Sequence, residues 1–150
     1  MSHNWTQNEI RFVFVYGSLR PDDDSSMPWT KEAINGMLHL KAIVYDYCMY
    51  FDRYAAAKSN RPGKKIIGYL LSVDPSKNLC WDEKLSHFDE IEGTSRGLYQ
   101  RVITTATVVE TGDEVACFIY VRNDASEEYE VPEGDWLKRD KILTNNRSEY

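Results

Sequence analysis

The sequence predicts an α+β domain built on a mixed sheet with the means to close into a barrel. Three observations predict it. Short β-branched and aromatic runs recur along the chain and outnumber the helical stretches. Several successive runs are joined by hairpin-like turns. The helical stretches are few and do not alternate with strands as a regular βαβ series would. A length of 150 residues suits one domain with a real core.

Residues 1–10 are polar and read as a flexible N-terminus, residues 11–141 as a single domain, and residues 142–150 as a polar tail. Arg11-Phe12-Val13-Phe14-Val15 reads as a buried first strand, which Tyr16-Gly17-Ser18-Leu19 ends. Residues 20–26 are a polar, turn-rich loop. Its adjacent Asp22, Asp23 and Asp24 lack the spacing and turn glycine of a metal loop. Residues 29–40 read as a helix carrying Ala33, Met37 and Leu40, residues 42–51 as a strand, and residues 53–65 as an irregular loop.

Residues 65–73 read as a strand, and Gly68 inside it marks a bulge or a close approach of another backbone. Asp74-Pro75 is a helix-start signal, with helix expected from there to Ile91. Residues 93–97 are a turn. Residues 99–109 form a long strand with Val102, Thr104, Ala106 and Val108 on one face, and Thr111-Gly112-Asp113 turns it into a strand over residues 114–121. Residues 123–134 are acidic and polar. No repeat or linker divides the chain.

Composition excludes several classes of function. A net charge of -6 argues against a nucleic-acid partner, which needs a clustered positive surface. The one basic cluster, Arg61-Pro62-Gly63-Lys64-Lys65, is short and turn-like. No apolar run reaches the roughly 18 residues that span a bilayer, so no membrane partner is expected. Cys48, Cys80 and Cys117 are odd in number and widely spaced, which fits a reducing compartment and, with no signal-peptide core, a cytoplasmic protein. They form no zinc pattern with His3, His39 or His87, so neither a metal nor a cofactor is expected. Aromatics at 13% suit a lined pocket as well as a core.

Glu92 stands apart. At about 100° per residue, Trp81, Leu85 and Phe88 share a helix face, and Glu92 falls about 20° from Trp81 on it. A carboxylate on an apolar face is costly unless it is paired or used. Gly93 beside it is a helix stop, and side chains at helix ends also swing into water, so the pattern leaves both roles open. Tyr16-Gly17-Ser18-Leu19, at the end of a buried strand, can turn successive backbone N–H groups toward one point, a nest for a carboxylate or phosphate. A plain strand-ending turn has the same appearance. No nucleophile-elbow, phosphate-loop or dinucleotide motif is present.

Together these segments resemble the gamma-glutamyl cyclotransferase-like family. The resemblance rests on Val15-Tyr16-Gly17-Ser18-Leu19-Arg20, on Phe88-Asp89-Glu90-Ile91-Glu92-Gly93 followed by Tyr99-Gln100-Arg101, and on Gly68-Tyr69-Leu70. Residues 116–121 and Gly134-Asp135-Trp136-Leu137-Lys138-Arg139-Asp140 extend it, the last resembling the C-terminal segment of the small bacterial-type members. It implies a small mixed β-barrel flanked by helices and, as in gamma-glutamylamine cyclotransferase relatives, release of an amine or amino acid from a gamma-glutamyl amide with formation of 5-oxoproline. It makes Glu92 the acid/base, and Tyr16, Gly17, Ser18 and Leu19 the binding loop. Tyr99 and Tyr120 are then pocket walls, the substrate is a small molecule, and the protein is a monomer or weak homodimer. The family's Tyr-Pro element after the second strand is missing, and Met49-Tyr50-Phe51-Asp52-Arg53-Tyr54 stands in its place. A non-catalytic carboxylate-binding protein and a gamma-glutamyl acyltransferase are the alternatives.

Overall fold

The computed structural model describes residues 5–23 and 28–142. Strands β1 (Val13–Val15), β2 (Met37–Tyr45), β3 (Cys48–Asp52), β4 (Tyr54–Lys58), β5 (Lys65–Val73), β6 (Gln100–Val108) and β7 (Glu114–Val121) form one sheet, with helices α1 (Pro28–Ile34) and α2 (Trp81–Glu92) beside it. The strand order is β1-β5-β2-β6-β7-β4-β3, and β1 also pairs with β7. That last pairing closes β1, β5, β2, β6 and β7 into a five-stranded barrel. The β1–β7 seam is parallel and the other four seams are antiparallel, so the barrel is mixed as expected. The β3–β4 hairpin hangs from β7 through Ala57 opposite Val121.

Alternation along the strands divides the core in two. Phe14, Ala42, Val44, Ile66, Leu70, Ala106, Cys117 and Ile119 point into the barrel. Val13, Val15, Leu71, Phe118 and Tyr120 point outward and are covered by Ala33 of α1 and Phe88 of α2. Closing the barrel crowds some positions. A Cβ on Gly68 would lie 2.3 Å from the Val15 carbonyl oxygen and 2.8 Å from the Phe14 ring. The glycine predicted to mark a bulge or a close approach therefore sits at the end of the β1–β5 ladder, against the Val15 backbone. Gly68→Ala is expected to cost about 2–3 kcal/mol as an overpacked seam. An unchanged urea midpoint would show that β1 can yield there.

Several expected elements differ. The helix expected over residues 29–40 stops at Ile34, because Gly36 turns the chain at φ 77°. Met37 and Leu40 instead join the nine-residue β2–β5 ladder. The strand expected over residues 42–51 is divided by a turn in which Asp46 takes φ 64°. Residues 54–58, expected in a loop, form β4. Alanines are poor strand formers, yet Ala55, Ala56 and Ala57 fit because this wall is tight: Ala55 lies 3.0 Å from where a Gly17 Cβ would be.

Asp74 does not start a helix. Its carboxylate accepts from the Ser76 amide and hydroxyl, which stabilises a turn in competition with helix. α2 begins only at Trp81. At the chain ends, Gln7–Glu9 form a 3-10 turn, and Ile10 is 1% exposed against the outer core. Ile142 is buried in the barrel cluster. Residues 1–4, 24–27 and 143–150 lie outside the described residues, and with them the third aspartate of the loop and most of the expected tail. No helix among the described residues is long and apolar enough to cross a membrane.

Candidate active site

The barrel mouth opens into a cavity of about 410 Å³ where the end of β1, the end of α2 and the β3–β4 hairpin meet. Tyr16, Gly17, Ser18, Leu19, Glu92, Tyr99 and Tyr120, all the site residues expected from sequence, line it. A cavity of this size suits a small molecule.

The loop after β1 turns because the Arg20 amide donates to the Gly17 carbonyl at 3.0 Å. The amides of Gly17, Ser18 and Leu19 have no acceptor among the described residues, although they lie in the cavity wall. The loop is pinned at its far end by Arg20, which is 2% exposed. Its guanidinium grips both carboxylate oxygens of Asp22, each at 2.8 Å, and Asp135 Oδ1 at 2.8 Å. Trp136, stacked on Phe51, contributes a buried indole N–H to the same wall, also without an acceptor among the described residues.

Glu92 is the last residue of α2. Gly93 follows in the left-handed region at φ 66°, and its amide reaches back to the carbonyls of Asp89 and Glu90. The side chain is half-buried, and no hydrogen bond or ion pair reaches its carboxylate among the described residues. Desolvation pushes its pKa up to about 7. Burial first, and then charges that include Glu92, raise Tyr16, Tyr99 and Tyr120, so the three phenols stay protonated.

Those phenols are already committed within the protein. Tyr16 donates to the Tyr120 carbonyl at 2.5 Å and accepts from the Ala57 amide at 3.2 Å, tying β1 to β7 and β4. Tyr99 donates to the Ala55 carbonyl at 2.6 Å, and Tyr120 donates to Asp89 Oδ1 at 2.6 Å. They line the cavity, and these bonds hold its walls. Asp89 also pairs with Arg101, which lies 4.6 Å over the Phe118 ring. This cluster fixes the last turn of α2 to β6 and β7, and so sets the direction of Glu92. Neither Asp89 nor Arg101 was expected at the site from sequence. Their places in the Asp-x-x-Glu-Gly and Tyr-x-Arg segments carried the signal, but only the fold shows that they bind each other.

Trp29, Arg53, Tyr54, Arg96, Leu98 and Arg122, which carry no local signal for a site, also line the wall. Arg122 is engaged by the Asp52 carbonyl at 3.0 Å and its carboxylate at 3.2 Å. No group of three or more potential metal ligands occurs among the described residues.

Fold and site define a closed-barrel protein whose cavity is lined by one desolvated carboxyl and a loop of open amides. The chain belongs to the gamma-glutamyl cyclotransferase, AIG2-like family, whose sequence model matches residues 13–138. No curated protein matches it. Among solved structures, a gamma-glutamyl cyclotransferase superposes with TM-score 0.62 at 18% identity, over 93% of this chain and 79% of that one. An Arabidopsis thaliana protein gives 0.61 at 21%, over 99% and 82%. An AIG2-like protein from Mus musculus gives 0.59 at 19%, over 80% and 82%. At these identities the likeness is one of fold.

Proposed function

We propose that the protein cyclises a gamma-glutamyl amide to 5-oxoproline and releases an amine or amino acid, with Glu92 as the acid/base. The observation that carries this is the Glu92 carboxyl, raised to about 7 and without a protein donor among the described residues, lining one cavity with residues 17–19, whose amides have no acceptor there. The substrate's ammonium gives its proton to Glu92. The freed amine attacks the gamma-carbonyl carbon of the same molecule, and the five-membered ring closes. The oxyanion or the substrate carboxylate is held by the amides of Gly17, Ser18 and Leu19, donors aimed before the reaction begins. The intermediate collapses, the amide C–N bond breaks, Glu92 returns its proton to the leaving nitrogen, and the second proton that the alpha-nitrogen sheds on becoming the lactam N–H passes to the released amine or to water. Because attack is intramolecular, the protein needs no nucleophile of its own. It holds the chain folded and carries a proton from the attacking to the leaving nitrogen.

The chemistry requires a free alpha-amine, and that is the test. Wild-type protein is expected to release 5-oxoproline from a gamma-glutamyl amide and to leave its N-acetyl analogue untouched. Glutamate release, or turnover of the acetylated compound, would show hydrolysis or acyl transfer instead. The kcat/KM of the wild type should rise with pH through about 7 as the base ionises. A flat profile between pH 6 and 8 would remove Glu92 from that role.

A further inference from the structure

Two charged segments that the cavity chemistry leaves unused meet on the back of the β3–β4 hairpin. One is basic, the end of β4 and the turn after it, with Lys58, Arg61 and Lys64. The other is the acidic stretch after β7, over residues 124–130. Lys58, 6% exposed, donates to the Ala125 carbonyl at 2.5 Å and lies 3.3 Å from Glu127. Arg61 reaches the other Glu127 oxygen at 3.2 Å, and Lys64 meets Glu130 at 3.0 Å. The Tyr50 hydroxyl first, and then Lys58, hold Glu127 below its usual carboxylate range, so it stays charged.

The acidic stretch is also bonded to β3 along its length. The Ser126 amide donates to Asp52 Oδ2 at 2.9 Å, the Phe51 amide to the Tyr129 carbonyl at 2.7 Å, and the Val131 amide to the Met49 carbonyl at 2.9 Å. It thus covers the outer edge of β3, the last strand of the sheet. The hairpin beneath is the part of the cavity least tied to the barrel. Its ladder to the barrel is the one pair Ala57–Val121, whereas β2 and β5 pair over nine residues. The other ties are the Arg122 amide to the Ala57 carbonyl, the hydroxyls of Tyr16 and Tyr99, and Arg122 on Asp52. Yet Arg53, Tyr54 and Ala55 of this hairpin line the cavity, and the acidic stretch runs between two more lining residues, Arg122 and Trp136.

We propose that residues 124–131 form an electrostatic latch that holds the β3–β4 wall of the cavity against the barrel. When the latch lets go, the hairpin parts from the barrel and the cavity opens to solvent. When it closes, the wall is restored and water is excluded. Each ion pair alone is weak, because Glu127, Glu130 and Lys64 face solvent. Their effect comes from acting together on one short segment. Glu127 matters most, since it answers both Lys58 and Arg61, and Lys58 is buried. Salt should loosen the latch by screening the exposed pairs. The latch does not depend on which reaction the cavity carries out.

Amide hydrogen exchange followed by NMR tests it without any substrate. The Phe51, Ser126 and Val131 amides report on the latch, the Ala57 and Arg122 amides on the bonds between hairpin and barrel, and the β2–β5 ladder serves as the reference. Glu127→Gln keeps the size of the side chain and removes its charge. In this variant both sets of amides are expected to exchange about 3- to 10-fold faster, with the ladder unchanged. Wild type in about 0.5 M NaCl should approach the variant, and the variant should respond little to salt. Lys64→Glu and Glu130→Lys should each speed exchange when alone and restore it when combined. Wild-type exchange in Glu127→Gln would overturn the proposal. So would faster exchange at Phe51, Ser126 and Val131 with Ala57 and Arg122 unchanged, because the stretch would then move without the wall.

Discussion

Glu92→Gln is expected to make the protein more stable at pH 8, by about 2 kcal/mol, while it removes turnover. Each unit of pKa shift corresponds to about 1.4 kcal/mol, and partial exposure discounts the full amount. Burial raises the Glu92 pKa from 4.5 to about 7. The folded protein therefore keeps this proton at pH values where the unfolded chain has lost it. Stability is lost as pH rises from about 4.5 to about 7, and above that the native state carries a poorly solvated charge. Glutamine keeps the size and has no charge to desolvate. The two proteins should converge in urea midpoint below pH 4.5 and separate above pH 7, the variant being the more resistant. Parallel curves across that range would show that the carboxylate is well solvated in the folded state. Carrying a destabilising charge makes sense at a site that uses it.

The second large effect is expected at Arg20. Arg20→Ala should cost about 3 kcal/mol, because it leaves Asp22 and Asp135 facing the barrel wall without their cation. Asp135 also accepts from the Leu137 amide, and the Tyr69 hydroxyl donates to Asp22 at 3.0 Å, so the loss reaches both the C-terminal turn and β5. Arg20 directly follows the Tyr16–Leu19 loop, so the survivors of this change should also bind substrate weakly. Lysine should rescue only part of the loss, since an ammonium cannot grip both oxygens of Asp22 and reach Asp135. A wild-type urea midpoint for Arg20→Ala would show that the loop is held by other contacts.

The parts of the fold that were legible in the sequence are those whose signals are local. Val13 to Val15, residues 65–73 and the hairpin through Gly112 carry β-branched runs or turn chemistry that hold wherever they are placed. β4 was invisible because Ala55, Ala56 and Ala57 owe their strand to a crowded wall that only closure of the barrel creates. The α2 boundary was misplaced because Asp74 can cap a helix or close a turn, and the side-chain bonds to Ser76 decide for the turn. In the site, Glu92 was legible as a carboxylate on an apolar face, and the loop as a strand ending in Tyr-Gly-Ser-Leu. The hydroxyl partners of Tyr16, Tyr99 and Tyr120 lie 104, 44 and 31 residues away in sequence, beyond the reach of local pattern. Arg53 and Arg96 of the cavity wall were hidden for the same reason. They come from different loops, and the fold brings them to one cavity.

The most direct test of the account is the initial rate of 5-oxoproline formation by wild type and Glu92→Gln at pH 8, with both proteins shown to be folded by their urea midpoints. Removing a general acid/base of this kind is expected to lower the rate by about 10²- to 10⁴-fold. The variant should still bind substrate. Equal rates in the two proteins would contradict the assignment of Glu92 as the proton carrier.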